Sequence, residues 1–226
     1  FLIFFQGIAQ GGINNDIKNM EIITPLFSEQ QKIASILSNV DAQMQQTQKL
    51  IDLTQRLKNG LMQNLLIKGI GHTDFESVNY GLRWMKADFP KKWESTPISK
   101  LCKLRKKNQI SSELYVGLEH IEQGNNQLIE KGNVSSFESN KNIFEKGDIL
   151  YGKLRPYLNK VWLATEPGYC STDILALQVN DKILNEFLLY VLLSKIFVDF
   201  AIATSSGTKM PRTNWDDIKK FHVVLP

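Results

Sequence analysis

Residues 28–68 read SEQQKIASILSNVDAQMQQTQKLIDLTQRLKNGLMQNLLIK, and this stretch decides the architecture of the chain. It contains no proline, and its one glycine, Gly60, comes late. Apolar residues recur at alternating steps of four and three, the heptad spacing of a helix that packs against another helix. We therefore predict one helix over 28–68 whose apolar seam forms an interface with a partner helix. The seam residues are Ile33, Leu37, Val40, Met44, Ile51, Leu61 and Leu65.

Both ends of this helix carry local signals. Pro25 is followed by Ser28 with Gln31 three residues later, which is a capping-box pattern. Lys68 and then Gly69 are typical of a helix end. At 1.5 Å per residue the helix would be about 60 Å long, whereas helices of globular domains average about a dozen residues. The alternative is a surface helix lying on its own domain, but polar residues surround the seam nearly all round, which favours a partner helix.

The composition is that of a mildly basic globular protein. The chain has 226 residues, enough for one or two domains, with 42% hydrophobic and 22% charged residues and a net charge of +4. Between residues 91 and 160 there are 13 Lys and Arg against 8 Asp and Glu, so the positive excess lies there. Such a patch suits a polyanion, although it is also common on a solvated face. The tightest cluster is Lys100, Lys103, Arg105, Lys106 and Lys107.

The two cysteines, Cys102 and Cys170, lie far apart and exclude both a disulfide scaffold and a zinc site. We therefore expect a reducing, cytoplasmic location. The opening FLIFF is too short to span a membrane, so no membrane partner is expected. Because the chain starts with Phe1, we interpret it as a fragment that begins inside a folded element.

An internal repeat predicts the domain organisation. Residues 16–25 (DIKNMEIITP) match residues 217–226 (DIKKFHVVLP), with four of the ten positions identical. Each copy follows a turn of small residues, so we infer two copies of one domain type, each leading into a long helix. The predicted boundaries are a C-terminal remnant of a preceding domain at 1–25, the long helix at 26–70, a connector at 71–88 and a complete domain at 89–226.

The second region is predicted to be α+β, so the whole chain is an α+β domain with a long helix. Short β-branched or aromatic segments bounded by Gly, Asn or Pro indicate strands at 115–118, 148–151, 160–164 and 174–179. Apolar residues at helical spacing indicate one core helix over 186–203.

The sequence shows no clear catalytic or cofactor-binding motif. Residues 147–153 (GDILYGK) fit the spacing of a phosphate-binding loop, but Leu154 replaces the hydroxyl that would hold magnesium and Pro156 blocks the following helix. The three histidines fall in unrelated contexts, and no metal-ligand spacing is present. We therefore expect no catalytic residues, no metal and no cofactor.

Two loops are the best candidates for binding a nucleic acid. Residues 152–160 (GKLRPYLNK) and 205–214 (SSGTKMPRTN) combine cations for phosphates, planar donors for base edges, and small residues that let the backbone approach. Solvated loops without a ligand are the alternative. The candidate DNA-contacting residues are Lys103, Arg105, Lys106 and Lys107 of the basic cluster, Lys153, Arg155, Tyr157, Asn159 and Lys160 of the first loop, and Ser206, Thr208, Lys209 and Arg212 of the second.

Several segments together resemble the specificity subunits of Type I restriction–modification systems. Residues 207–215 (GTKMPRTNW) and 217–226 resemble the end of a target-recognition domain, and 147–160 (GDILYGKLRPYLNK) resembles one of its strand–loop segments. Residues 89–94 (FPKKWE) resemble the start of such a domain, and 25–37 (PLFSEQQKIASIL) resemble the start of the long helix. These segments are spread over nearly the whole chain.

The resemblance implies a non-catalytic subunit that binds one half of a bipartite double-stranded DNA target. It further implies that adenine methyltransferase (modification) and restriction subunits are recruited, and that the long helix pairs antiparallel with a second one from the same subunit or from a homodimer partner. Such subunits usually carry two recognition domains and two helices, of which this chain holds one complete set. The other function classes are a coiled-coil scaffold that never contacts DNA and a fragment of a stand-alone DNA-modifying enzyme.

Overall fold

In the computed structural model, which describes residues 23–106, 112–134 and 141–226, the predicted long helix is present as α1 (Phe27–Lys68). It begins one residue earlier than predicted, so Ser28 lies inside its first turn. It ends as predicted, because Gly69 has a φ of 65° and its N–H donates to the Leu65 carbonyl over 3.0 Å. The prediction of a single uninterrupted helix is confirmed.

The apolar seam of α1 is exposed in the chain. No residue of α1 is buried, and the seven seam residues are between 41% and 66% exposed. Leu50, Leu53 and Leu57 are exposed as well and were not part of the predicted seam. They lie beside the stretch where Thr47 and Thr54 interrupt it, so the apolar face of α1 is broader than the heptad alone indicates.

The chain divides into two compact units, 1–56 and 57–226. In the first unit every described residue is exposed, and the first copy of the repeat, residues 16–25, lies almost entirely outside the described residues. In the second unit the end of α1 packs on the domain through Met62, Leu66 and Ile67. Lys58 adds a hydrogen bond of 2.9 Å from its Nζ to Asn125 Oδ1.

A β-hairpin and a two-stranded sheet lie at the start of the second unit. Strands β1 (Phe75–Asn79) and β2 (Lys86–Pro90) pair antiparallel, so the segment proposed as a connector, 71–88, holds most of this hairpin. Strand β3 (Glu94–Pro97) pairs antiparallel with the last strand, β12 (His222–Leu225). The second copy of the repeat thus closes the domain onto its first residues.

Two four-stranded sheets form the body of this unit. In spatial order, one contains β6 (Gly132–Asn133), β5 (Leu114–Val116), β10 (Gly168–Ser171) and β7 (Lys141–Phe144), and the other contains β4 (Cys102–Leu104), β11 (Ile174–Val179), β8 (Ile149–Gly152) and β9 (Val161–Leu163). The pair β5–β10 is parallel and the other pairs are antiparallel. All four predicted strands overlap observed ones, and 174–179 matches β11 end to end. Strand β8 also occupies the middle of the rejected phosphate-loop pattern.

The single core helix predicted over 186–203 is wrong, because the structure has two helices there. They are α2 (Asn185–Leu193) and α3 (Lys195–Ala203), separated by Ser194 in an extended conformation with ψ 151°. The Ser194 hydroxyl accepts a hydrogen bond from the Phe197 N–H and so caps α3. A short helix, α4 (Trp215–Ile218), precedes β12.

Both helices contribute to a core that joins them to the second sheet. Phe197 packs edge-to-face on Tyr151 of β8 at 5.4 Å and on Phe221 at 5.0 Å between ring centroids. The domain therefore mixes sheets and helices around shared cores, as an α+β domain does. None of the described helices is long and apolar enough to span a membrane.

Candidate nucleic-acid interface

The first candidate loop, 152–160, is held in a constrained conformation. After β8 the chain turns through a short 3₁₀ segment at 156–158, flanked by Arg155 with φ 52° and Asn159 with φ 46°. Non-glycine residues rarely adopt this left-handed region, and those that do cluster at functional sites. Pro156 is buried, and Asn159 Nδ2 donates to the carbonyl of Leu193 over 2.9 Å. This loop therefore has a fixed shape.

The second candidate loop, 205–214, is a closed turn that precedes α4. Ser206 and Arg212 exchange two backbone hydrogen bonds of 2.9 Å, which close the turn at its base. Gly207, with a φ of 96°, supplies the left-handed residue that the turn needs. Asn214 caps α4 by accepting a hydrogen bond of 3.0 Å from the Asp217 N–H. Thr208 and Lys209 are exposed at the tip.

The two loops meet, although about fifty residues of sequence separate them. The Arg155 N–H donates to the Pro211 carbonyl over 2.7 Å, and the Thr213 N–H donates to the Lys153 carbonyl over 3.1 Å. Leu154 and Arg212 form an antiparallel bridge between them. We call residues 152–160 and 205–214 together the two-loop surface. Backbone hydrogen bonds fix its geometry, so side chains from both loops are presented in a defined arrangement.

The turn between β10 and β11 is a third segment that reaches this surface, and the sequence did not indicate it. The Lys153 N–H donates to the Asp173 carbonyl over 2.8 Å, and an Asp173 oxygen lies 3.3 Å from Arg212 Nη2. The end of β10 and this turn together comprise Ser171, Thr172 and Asp173. Nothing in these three residues alone distinguishes them from an ordinary polar turn, and only their tertiary position marks them.

The predicted contact residues on this surface differ in their exposure and in their internal partners. Lys160 Nζ donates to the Leu118 carbonyl over 2.6 Å, and Asn159 is bonded to α2, so both side chains already have internal partners. Lys153 and Arg155 are half-buried. Exposed side chains project from the remaining predicted positions, namely Tyr157, Ser206, Thr208, Lys209 and Arg212.

The basic cluster predicted near residue 105 does not present all its charges to solvent. Arg105 forms a bidentate pair with Asp148, with N–O distances of 2.8 and 2.6 Å, and a third contact of 2.9 Å to Glu145. The Arg105 side chain is 11% exposed and that of Asp148 only 2%. This geometry gives Arg105 a role in the fold, because it neutralises a buried carboxylate.

The neighbours of Arg105 lie at different distances from the two-loop surface. Lys103 pairs with Gln178 in β11, whereas Gly152, at the start of the first loop, pairs with Ile174. Gln178 and Ile174 are four residues apart, which is about 13 Å along the strand. Beyond Lys103 the chain runs toward the loop end of the sheet, and Lys106 is exposed there. Lys107 lies outside the described residues.

Buried polar atoms without a hydrogen-bond partner gather at the same junction. Among the described residues they are Tyr151 Oη, Arg155 Nε, Asn159 Oδ1 and Thr213 Oγ1. Three of the four belong to the two-loop surface, and Tyr151 directly precedes it. Each such atom costs about 1–3 kcal/mol of desolvation. Several unpaired polar atoms in one place lower the stability of the fold there, which is typical of a functional surface.

The histidines do not form a metal-binding cluster among the described residues. Each histidine has a separate partner: His72 Nε2 accepts from the Trp93 indole, His120 Nδ1 accepts from the Gly117 N–H, and His222 Nδ1 contacts the Ser95 hydroxyl. No group of three possible metal ligands occurs among the described residues.

Both thiols are chemically quiet. Burial raises the pKa of the Cys102 thiol and of the Cys170 thiol to about 12, so neither is a reactive thiolate at neutral pH.

Comparisons with known proteins show the family of the chain. The sequence model of the family described as "Type I restriction modification DNA specificity domain" matches residues 3–55 and 90–226. The chain is 26% identical over 238 residues to the "Type I restriction enzyme EcoDI specificity subunit" of Escherichia coli, covering 93% of this chain and 52% of that one. It is 25% identical over 233 residues to the "Type I restriction enzyme MjaVIII specificity subunit" of Methanocaldococcus jannaschii, covering 92% and 52%.

A solved structure shares the fold. It is described as "Structural basis underlying complex assembly and conformational transition of the type I R-M system", and the match has a TM-score of 0.53 at 21% identity, covering 61% of this chain and 38% of that one. The chain spans about half the length of the curated relatives that it matches. Because the family model matches most of its residues, the chain belongs to the Type I restriction modification DNA specificity domain family.

Proposed function

We propose that this chain is the DNA-recognition part of a Type I specificity subunit and that its two-loop surface reads one half of a bipartite target. The observation that carries the proposal is the convergence of two loops, each with hydroxyls and cations, through direct backbone hydrogen bonds. Family membership supports DNA sequence recognition as the general role.

The chemistry of the exposed side chains fits duplex DNA. Lys209 supplies a charge for phosphates, and the hydroxyls of Ser206 and Thr208 can donate to phosphate oxygens or contact bases. Arg212 can form two parallel hydrogen bonds with a guanine edge. Because the loops are fixed by backbone hydrogen bonds, their backbone would meet the duplex with little loss of conformational freedom. The surface is thus suited to sequence recognition as well as to charge attraction.

We further propose that α1 pairs antiparallel with a second long helix. The exposed seam supports this, since an apolar stripe of many turns is stable only when it is covered. The partner helix would come from the other half of a longer subunit or from a second copy of the chain. Antiparallel pairing places a recognition domain at each end, which gives the approximate two-fold arrangement that a bipartite target requires.

In this proposal the chain itself is non-catalytic. Methyltransferase and restriction subunits, bound by the assembled specificity subunit, would supply the chemistry. Family membership supports that division of labour, because the matched family is described as a DNA specificity domain.

Duplex DNA binding at several salt concentrations tests the recognition role. We expect log K to fall linearly with log salt, because bound phosphates release their counterions. Lys209→Ala should weaken binding to all sequences alike and reduce the slope by about 1. The matched control is Lys131→Ala, which removes a lysine from an exposed ion pair with Glu166, at the other end of β10 from the Ser171–Asp173 turn.

The outcomes separate the alternatives. Salt-insensitive behaviour or no duplex binding would contradict the proposal and favour a coiled-coil scaffold, for which the exposed seam is the specific observation. Equal losses for Lys209→Ala and Lys131→Ala would show that the two-loop surface has no special role. Tight binding of S-adenosylmethionine by the chain alone would favour an enzyme fragment.

A further inference from the structure

The ion pair between Asp173 and Arg212 lies on the two-loop surface, and its chemistry is unusual for a surface that meets a polyanion. The contact is 3.3 Å long, with the side chains 53% exposed for Arg212 and 30% for Asp173. A carboxylate at this place repels phosphate and partly cancels the charge of the arginine. An exposed ion pair contributes only about 0–1 kcal/mol to folding, so stability alone is a weak reason for it.

The backbones on both sides of this pair are fixed. Arg212 is locked to Ser206 by two hydrogen bonds of 2.9 Å. The Asp173 carbonyl accepts from the Lys153 N–H, and the Asp173 N–H donates to Ser171 Oγ over 3.2 Å. The next residue, Ile174, is completely buried in the sheet. The backbone of Asp173 is therefore held in place, and its carboxylate is the group against which the long arginine side chain is oriented.

The contact uses one edge of the guanidinium. Among the described residues, Nη2 of Arg212 meets one oxygen of Asp173, and this is the contact that the structure shows for the side chain. A guanidinium has donors in a planar fork, so a second edge is available for a ligand. An arginine whose charge is partly neutralised, and which still offers one edge of its fork, favours a neutral, planar, two-acceptor partner over a phosphate.

We propose that Asp173 is a positioning residue that makes Arg212 a reader of a base edge, most favourably the O6 and N7 atoms of guanine, instead of a phosphate contact. This rests on the proposed function, since it requires that the two-loop surface faces duplex DNA. It assigns a specificity role to the turn between β10 and β11, which carries none of the residues chosen from the sequence.

The test is selection of bound duplexes from a library with a randomised central segment, using the whole 226-residue chain. The variants are Asp173→Asn, Arg212→Ala and the double variant. The carboxamide of Asp173→Asn keeps the shape of the side chain and removes the charge. Glu166→Gln is the matched control, because it removes a carboxylate from the exposed pair with Lys131. Thermal unfolding of each variant confirms that the fold is retained.

We expect the parent chain and Glu166→Gln to share one strong guanine preference. Arg212→Ala should lose that preference by roughly tenfold or more, as a bidentate contact requires. Asp173→Asn should lose most of it too, while its salt slope steepens by about 1, because the released arginine turns to a phosphate. The double variant should show the preference of Arg212→Ala alone, since both changes act on one contact.

Three results would overturn the inference. Asp173→Asn could keep the full preference, it could weaken all sequences alike, or the parent chain could bind duplexes with salt dependence but no base preference. The first two results leave sequence-specific DNA binding by the chain standing, so the failure belongs to the inference alone. The third result would contradict sequence reading by the two-loop surface as well. A parent chain that binds no duplex at any salt concentration would overturn the proposed function and the inference together.

Discussion

At the scale of single residues, Arg155 has the most informative conformation. Its φ of 52° places it in the left-handed region, where an L-residue with a side chain costs about 1–2 kcal/mol relative to the right-handed one. Its N–H is bonded to Pro211 and its carbonyl accepts from Leu158, so the surrounding backbone imposes this geometry. The backbone hydrogen bond that joins the two loops therefore also holds Arg155 in its strained conformation.

Replacing Arg155 by two different residues separates its backbone from its side chain. Arg155→Gly should be more stable than Arg155→Ala by about 1 kcal/mol, because glycine adopts positive φ without a Cβ penalty. Both variants should weaken duplex binding alike, since both lack the guanidinium. Urea unfolding and DNA titration measure the two effects. Equal stability of the two variants would show that the left-handed conformation is not maintained in solution.

Substitution of Arg105 tests whether this basic residue, which was predicted to contact DNA, instead supports the fold. Arg105→Ala leaves the carboxylate of Asp148 buried without its cation, which should cost about 3–5 kcal/mol of unfolding free energy. Lys103→Ala, at an exposed neighbouring position, should change stability by less than about 0.5 kcal/mol. Urea unfolding of both variants measures this. An Arg105→Ala variant with parental stability but weaker DNA binding would restore Arg105 to the interface.

At the scale of elements, the last turns of α1 present two different apolar faces. Its last turns place Met62 and Leu66 against the domain core, while Leu61 and Leu65 on the neighbouring positions remain exposed. One face of the helix end thus anchors the domain, and an adjacent face continues the seam. We expect a partner helix to extend along the seam as far as these last turns.

Charges placed in the seam should prevent pairing. Leu37→Asp combined with Met44→Asp should shift the chain from a concentration-dependent dimer to a monomer, because two carboxylates cannot be buried in an apolar interface. Ala42→Asp with Gln46→Asp adds the same charge on the opposite side of α1 and should leave pairing intact. Sedimentation equilibrium over a range of concentrations measures the difference. The idea fails if both double variants, or neither, remain paired.

At the scale of the whole molecule, the helix length would set the distance between two half-sites. A heptad inserted into α1 keeps the seam in register and lengthens the helix by about 10 Å. Since B-DNA rises about 3.4 Å per base pair, the preferred spacer should grow by at most about three base pairs. Neither half-site sequence should change, because the loops are untouched.

Mapping of methylated sites in an active complex that carries the heptad insertion measures the spacer. The matched control is an insertion of two residues, which rotates one half of the seam by about 200° relative to the other half and should abolish pairing and activity together. An unchanged spacer with full activity would show that α1 is a docking surface and does not set the distance.

The sequence by itself determined the elements whose signals are local. The helix was predicted within one residue, and its glycine end and the strand at 174–179 were predicted correctly. Heptad spacing, a C-terminal glycine and a short, mostly apolar run all act between residues that are near in sequence, so they can be recognised without the fold. Even so, Ser194 interrupted a regular apolar pattern, because its hydroxyl caps a new helix.

Only the tertiary structure decided which loops meet and which charges remain outside. The bridge between Leu154 and Arg212, the pair of Arg212 with Asp173 and the burial of Arg105 against Asp148 all join residues that are 39 or more positions apart. The residue types identified these loops and cations as candidates. They could not show which of the loops meet or which of the cations stay exposed. Strand pairing brings the loops to one end of the sheet, and that pairing depends on distant partners and not on the loop residues.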